Sequence, residues 1–130
     1  MTSMGYYTDI NPVHDSTLSY LETDMHLWID SSLPANTWGN VDCLKAQDFL
    51  RCNSYNVRIN SVLNNNTIGY NATKALVCHE AGHTVGLLHG NEAVPWRAND
   101  HAELGCMVTP IDGDLRGLGD HNNHQINSAY

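Results

Sequence analysis

An α+β fold is what this 130-residue chain predicts, on three observations. Residues 24–30 alternate Met25, Leu27 and Ile29 with His26 and Trp28, the period of a strand. Residues 56–62 do the same, with Val57 and Ile59 on one face and Arg58 and Asn60 on the other. The second half holds a long helical segment, about residues 72–85, and a short terminal one at 120–130.

Each element has a local reason. Residues 1–24 are polar and weakly patterned, with Pro12, and read as mostly irregular, with room for a short element at 16–22. Ser31-Ser32-Leu33-Pro34-Ala35-Asn36 is turn chemistry. Residues 41–51 fit two readings: a short helix lined by Val41, Leu44, Phe49 and Leu50, or an irregular loop closed by Cys43 and Cys52. The Asn64-Asn65-Asn66 run is a loop. In the long helix Asn71 or Thr73 serves as cap, and Ala75, Leu76 and Val77 supply apolar surface. Residues 90–104 form a polar loop broken by Pro95. Asp120 caps the last helix and Ile126 faces inward. Without repeats or linkers, residues 1–130 are expected to be a single domain.

Charge narrows the function. A formal net charge of −8 with only six Lys plus Arg disfavours nucleic acid or an anionic membrane as partner. No stretch approaches the roughly 20 apolar residues of a membrane span. Residues 1–7 have neither a basic start nor an apolar core, so no signal peptide is expected within this chain.

The run His79-Glu80-Ala81-Gly82-His83-Thr84-Val85-Gly86-Leu87-Leu88-His89 is the most informative stretch. On a helix, His79 and His83 stand one turn apart on nearly the same face, so both imidazoles reach one metal. Glu80 points to the flank, where a carboxylate can act as general base without being a ligand. His89 would be out of reach if the helix continued. Gly86 solves this, because glycine accepts the left-handed conformation that ends a helix and turns the chain back. Three protein ligands with an open fourth position is the arrangement of a catalytic zinc site.

In this run, HExxHxxGxxH, the chain resembles the metzincin clan of zinc endopeptidases. The resemblance covers about residues 57–130. It implies a small mixed twisted sheet, an active-site helix, a methionine turn beneath the metal and a C-terminal helix beside that turn. Gly105-Cys106-Met107-Val108-Thr109-Pro110 supplies the turn, with Met107 as the apolar floor under the imidazoles. Gly90 follows the third histidine, and Thr109 stands where astacin-like and serralysin-like enzymes carry tyrosine. The pattern lies closer to small secreted bacterial members, matrixin-like or snapalysin-like. The strand and long helix that usually open such domains are not evident, so the N-terminal part is expected to be truncated or abbreviated.

Four cysteines allow three pairings. The favoured one joins Cys43 to Cys52 and Cys78 to Cys106. The second bond would staple the residue before the first ligand to the residue before Met107. Disulfides imply an oxidising, extracellular compartment. The remaining histidines have plainer readings. His14, His26 and His101 are taken as surface or loop residues, and His121 and His124 as solvated helix positions rather than a second ion site. Asp112-Gly113-Asp114 begins like a calcium loop but lacks the further ligands, so structural calcium is not supported. Asn65-Asn66-Thr67 and Asn71-Ala72-Thr73 match the glycosylation pattern.

These readings imply a monomeric, secreted zinc metalloendopeptidase acting on protein or peptide substrates. Its one Zn2+ is held by His79, His83 and His89, with Glu80 as general base. Substrate is expected to lie along an edge strand, with residues 56–62 as the leading candidate. The alternatives are a catalytically inactive zinc-containing protein-binding module of the same fold, and a zinc hydrolase acting on a non-protein amide.

Overall fold

Parallel and antiparallel pairing meet in one three-stranded sheet, whose strands are β1 (Met25–Asp30), β2 (Gly39–Ala46) and β3 (Cys52–Asn60). The computed structural model describes residues 13, 24–46, 52–61, 69–111 and 116–130. The readings given to residues 1–12 and 14–23, to residues 47–51, to residues 62–68 and to Asp112-Gly113-Asp114 lie outside the described residues. Contacts divide the described residues into two compact units, one holding 24–46 and 52–61 and the other 13, 69–111 and 116–130.

In the first unit the spatial order is β1-β3-β2, with β1 parallel and β2 antiparallel to β3. Residues in register share a face, so Leu27, Val57 and Val41 line one side, and Trp28, Arg58 and Asn40 the other. The central strand buries its apolar members, Val57 completely and Ile59 nearly so. The strand read from the alternation at residues 24–30 is present as β1, an edge strand among the described residues, with Met25, Leu27 and Ile29 exposed and His26 and Asp30 buried. Two sequence expectations are corrected here. Residues 41–46 are neither helix nor irregular loop, since Val41 pairs with Val57 across β2 and β3 and the Cys43–Cys52 bond staples the two strands. β3 is the middle strand and its backbone is paired on both sides, so it has no free edge to offer a peptide.

Polar groups lock this sheet. Asn60, on the far face from Val57, is buried and fully engaged. Its Nδ2 donates to the carbonyls of Pro34 at 2.9 Å and Thr37 at 2.8 Å, with Leu33 at 3.4 Å. The loop after β1 therefore closes over an amide that donates to its carbonyls. Arg58 crosses all three strands, reaching Asp30 at 3.3 Å and both Asn40 and Asp42 at 2.6 Å. Asp30 Oδ1 also accepts from the Ser32 backbone N–H and hydroxyl at 2.8 and 2.7 Å.

The second unit contains helix α1 (Gly69–Thr84), a 3-10 turn at Ala102–Leu104 and helix α2 (Asp120–Ala129). Helix α1 begins three residues before the expected start, so Asn71 and Thr73 lie within it and neither caps it. Ala75 and Leu76 are buried as expected. Helix α2 is capped by Gly119; Asp120 sits in the first turn, where a carboxylate opposes the helix dipole. Ile126 faces inward as expected, joining Leu87, Leu104, Cys106, Met107, Val108 and Leu118 in one apolar cluster. The loop read as polar, residues 90–104, ends in the 3-10 turn and plants Leu104 in that cluster. No described helix is long and apolar enough to cross a membrane.

The ties around Asp30 set a pH signature. Hydrogen bonds from Ser32, then the nearby Arg58 guanidinium, hold its carboxyl below the ordinary carboxylate range. A group with a depressed folded pKa stabilises fully above its unfolded pKa and loses that contribution as pH falls through the folded value. Asp30→Asn therefore lowers the urea midpoint, read by tryptophan fluorescence, at pH 7, and the gap from the unsubstituted protein closes in acid. A gap that stays constant down to pH 2 contradicts this role for Asp30.

Candidate metal centre

Helix α1 delivers His79 and His83 one turn apart, and the turn beyond its end delivers His89. The chain leaves the helix through Gly86 at φ +82°. The Leu87 N–H donates to Gly82 O at 3.1 Å and the Gly86 N–H to His83 O at 3.1 Å, the paired bonds of a Schellman turn. Gly86 thus takes the left-handed, helix-ending conformation expected of it. The same turn has a second role that the sequence did not announce. It presents the Leu87 carbonyl to His83, whose Nδ1–H donates to it at 2.8 Å.

His79 is fixed from the opposite side. Its Nδ1–H donates to the Cys106 carbonyl at 2.9 Å. Cys106 is bonded through sulfur to Cys78, the residue immediately before His79. One residue of the methionine turn therefore holds both the backbone and the ring of the first ligand position. Closing a loop of this separation, 28 residues, is worth about 3–4 kcal/mol in chain-entropy terms.

The three rings form a nearly regular triangle, with centroids 4.9, 5.0 and 5.1 Å apart. Their Nε2 atoms point together: His79 to His89 is 3.1 Å and His83 to His79 is 3.2 Å. Carbonyl oxygens only accept, so the Nδ1 atoms of His79 and His83 carry the protons and their Nε2 lone pairs face each other. Two bare lone pairs at 3.2 Å repel unless a cation lies between them. Imidazole bonds of about 2.0–2.1 Å to a tetrahedral zinc place the nitrogens roughly 3.3 Å apart. The donor set and its spacing fit such an ion. Among the described residues this is the one group of three side chains placed to hold a metal.

Electrostatics keep the site in the ligating form. Burial, more than the neighbouring His83 and His89, pushes His79 down to about 4, and burial also lowers His83. Burial thus favours the neutral form of both rings, the form that metal ligation requires. Glu80 is buried beside them on the helix, and desolvation raises its carboxyl to about 7, the range suited to accepting and returning a proton.

Met107 is fully buried, and it explains a residue the sequence left without a role. A Cβ on Gly82 would collide with Met107 Sδ and lie 3.4 Å from Leu87 Cδ1. Only glycine lets the thioether lie against the helix between the two histidines. The available signal was a glycine in a helix interior, which costs about 1 kcal/mol and asks for a reason. The turn itself is held from several directions. Gly105 has φ +54° and lies against Gly117, and the Cys106 N–H donates to Gly117 O at 2.8 Å. From helix α2, buried Asn122 donates to Leu104 O at 2.6 Å. Asn99 ties the loop after the third histidine to the segment after Met107: its side chain accepts from the Asn91 N–H and its carbonyl from the Thr109 N–H, both at 2.8 Å.

Other expectations are corrected. His26 is buried on β1 rather than at the surface. His121 is buried on helix α2, where desolvation lowers its pKa, while His124 is exposed as expected. His101 is a loop residue with a function of its own, accepting the Glu103 N–H at the start of the 3-10 turn. Both favoured disulfides are present, and they fit an oxidising environment. No protein-family model matches the chain, and no curated protein or solved structure matches it significantly.

Gly82→Ala should cost about 1–3 kcal/mol by driving Met107 off the helix. Met107→Ala should cost about 2–5 kcal/mol. Because the added methyl and the removed thioether occupy the same space, the double variant loses less in chemical denaturation than the two single losses summed. Strict additivity would show that Gly82 and Met107 do not share that space.

Proposed function

We propose that this chain is a secreted zinc-dependent endopeptidase of the metzincin kind. One observation carries the reading: three Nε2 atoms, two of them with fixed tautomers, are gathered together, and Glu80, next to His79 on the helix, is a buried carboxylate of raised pKa. His79, His83 and His89 hold the ion. Zinc bound there supplies Lewis-acid polarisation to water and to a scissile carbonyl.

The rest of the chemistry belongs to the chain. Glu80 accepts a proton from the attacking water at its carboxylate and returns it to the departing amide nitrogen. A carboxyl near 7 suits both halves of that exchange. Neither backbone-anchored imidazole, His79 nor His83, has a free Nδ1 for proton transfer, and Glu80 is assigned the role of proton carrier. Met107 and the Schellman turn supply an apolar, rigid bed, so the ligands do not reorganise between turnovers. The two disulfides and the acidic charge suit an extracellular, soluble enzyme.

Glu80→Gln separates this reading from a non-catalytic zinc module. The variant should retain one equivalent of zinc and lose at least about 10³-fold of peptide-library cleavage, following the magnitude of general acid–base catalysis. Wild-type protein that binds zinc and cleaves nothing, with or without chelator, would leave the binding module standing. Cleavage by Glu80→Gln at the wild-type rate would remove Glu80 from its role.

A further inference from the structure

The three imidazoles are not held alike. His79 and His83 each donate Nδ1–H to a backbone carbonyl, at 2.9 and 2.8 Å. Beside the Nδ1 of His89 lies a carboxylate instead, Glu92 Oε2 at 3.8 Å, three residues further along the chain. The spacing is fixed by local backbone: the Glu92 N–H donates to the His89 carbonyl at 2.9 Å, and the loop that follows closes on Gly90, whose carbonyl accepts from Ala93 and Arg97. A substituent on Gly90 would strike the carbonyls of Arg97 and Ala98, so the loop carrying Glu92 is seated against backbone rather than swinging free.

We propose that Glu92 is a positioning residue for the metal centre, a charged outer partner that orients His89 and offsets the ion's charge. The inference rests on the three-histidine reading of the site. At 3.8 Å the carboxylate acts through charge rather than through a full hydrogen bond. A divalent ion on three neutral imidazoles keeps its whole charge, and Glu80 offsets only part of it. Glu92 supplies a second negative charge, beside the one ligand that no described carbonyl fixes. Outer partners of metal-bound histidines are typically worth 10–100-fold in metal affinity. Glu92 is more than half exposed, so screening places it at the low end of that range, about tenfold.

The test is zinc affinity of the full chain by competition with a chromophoric chelator, at about 20 mM and about 500 mM salt, beside the visible spectrum of the cobalt(II)-loaded protein. Glu92→Gln keeps the side chain's shape and removes its charge. It should weaken zinc about tenfold at low salt, shrink that loss at high salt and shift the cobalt bands. Glu103→Gln is the control, since it removes an equal charge from a carboxylate paired with Arg97 instead of a histidine; it should change neither. Equal affinity for Glu92→Gln and the unsubstituted protein, or equal weakening by Glu103→Gln, overturns the role of Glu92 alone. A wild-type chain that takes up no zinc overturns the site reading with it.

Discussion

One residue of a turn, Cys106, bears the constraint on which the second unit depends. Its carbonyl accepts from the ring of His79, its sulfur is bonded to Cys78, and its N–H reaches Gly117. Helix α1 and the methionine turn are thereby joined at a single point by a covalent bond and a hydrogen bond that reinforce each other. Met107, next in sequence, is pressed against the helix at Gly82 by the same junction. A small chain has little core to supply rigidity. Placing the crosslink beside the chemistry puts what rigidity there is where angular precision matters most.

The consequence is a site assembled in the protonation state it uses. Backbone carbonyls decide the tautomers of His79 and His83, and burial favours the neutral form of both rings. Two lone pairs held face to face in that state are unfavourable by themselves, and a cation between them would relieve that. Glu80 obeys the same burial in the opposite sense, because a carboxyl loses its charged form where an imidazole loses its own. One desolvated patch thus prepares ligands and proton carrier together.

Much of this was legible in sequence because it is local. The offsets of His79, His83, Gly86 and His89 encode a helix, its Schellman end and the return of the chain within eleven residues. Cysteine positions beside His79 and Met107 made their pairing physically sensible. What the sequence did not yield depends on nonlocal placement. Whether the 41–46 segment is a strand rests on its register with β3, and the two cysteines suggested a loop as readily as a ladder. The alternation in β1 was real, but whether its apolar side is covered depends on β1 being at an edge. Gly82 and Asn122 reveal their purposes only when Met107 and Leu104 are set opposite them. Asn60 was legible only as a residue on the face opposite Val57, and its role shows once the loop after β1 closes over it.

Everything in the second unit turns on what the three Nε2 atoms share. Zinc K-edge X-ray absorption on purified protein, dialysed against one equivalent of zinc, reads this directly. It should show one tightly held ion per chain with three imidazole nitrogens at about 2.0 Å and one oxygen ligand. Sulfur bound to the metal, a six-oxygen environment, or a His83→Ala protein giving the same spectrum would contradict it.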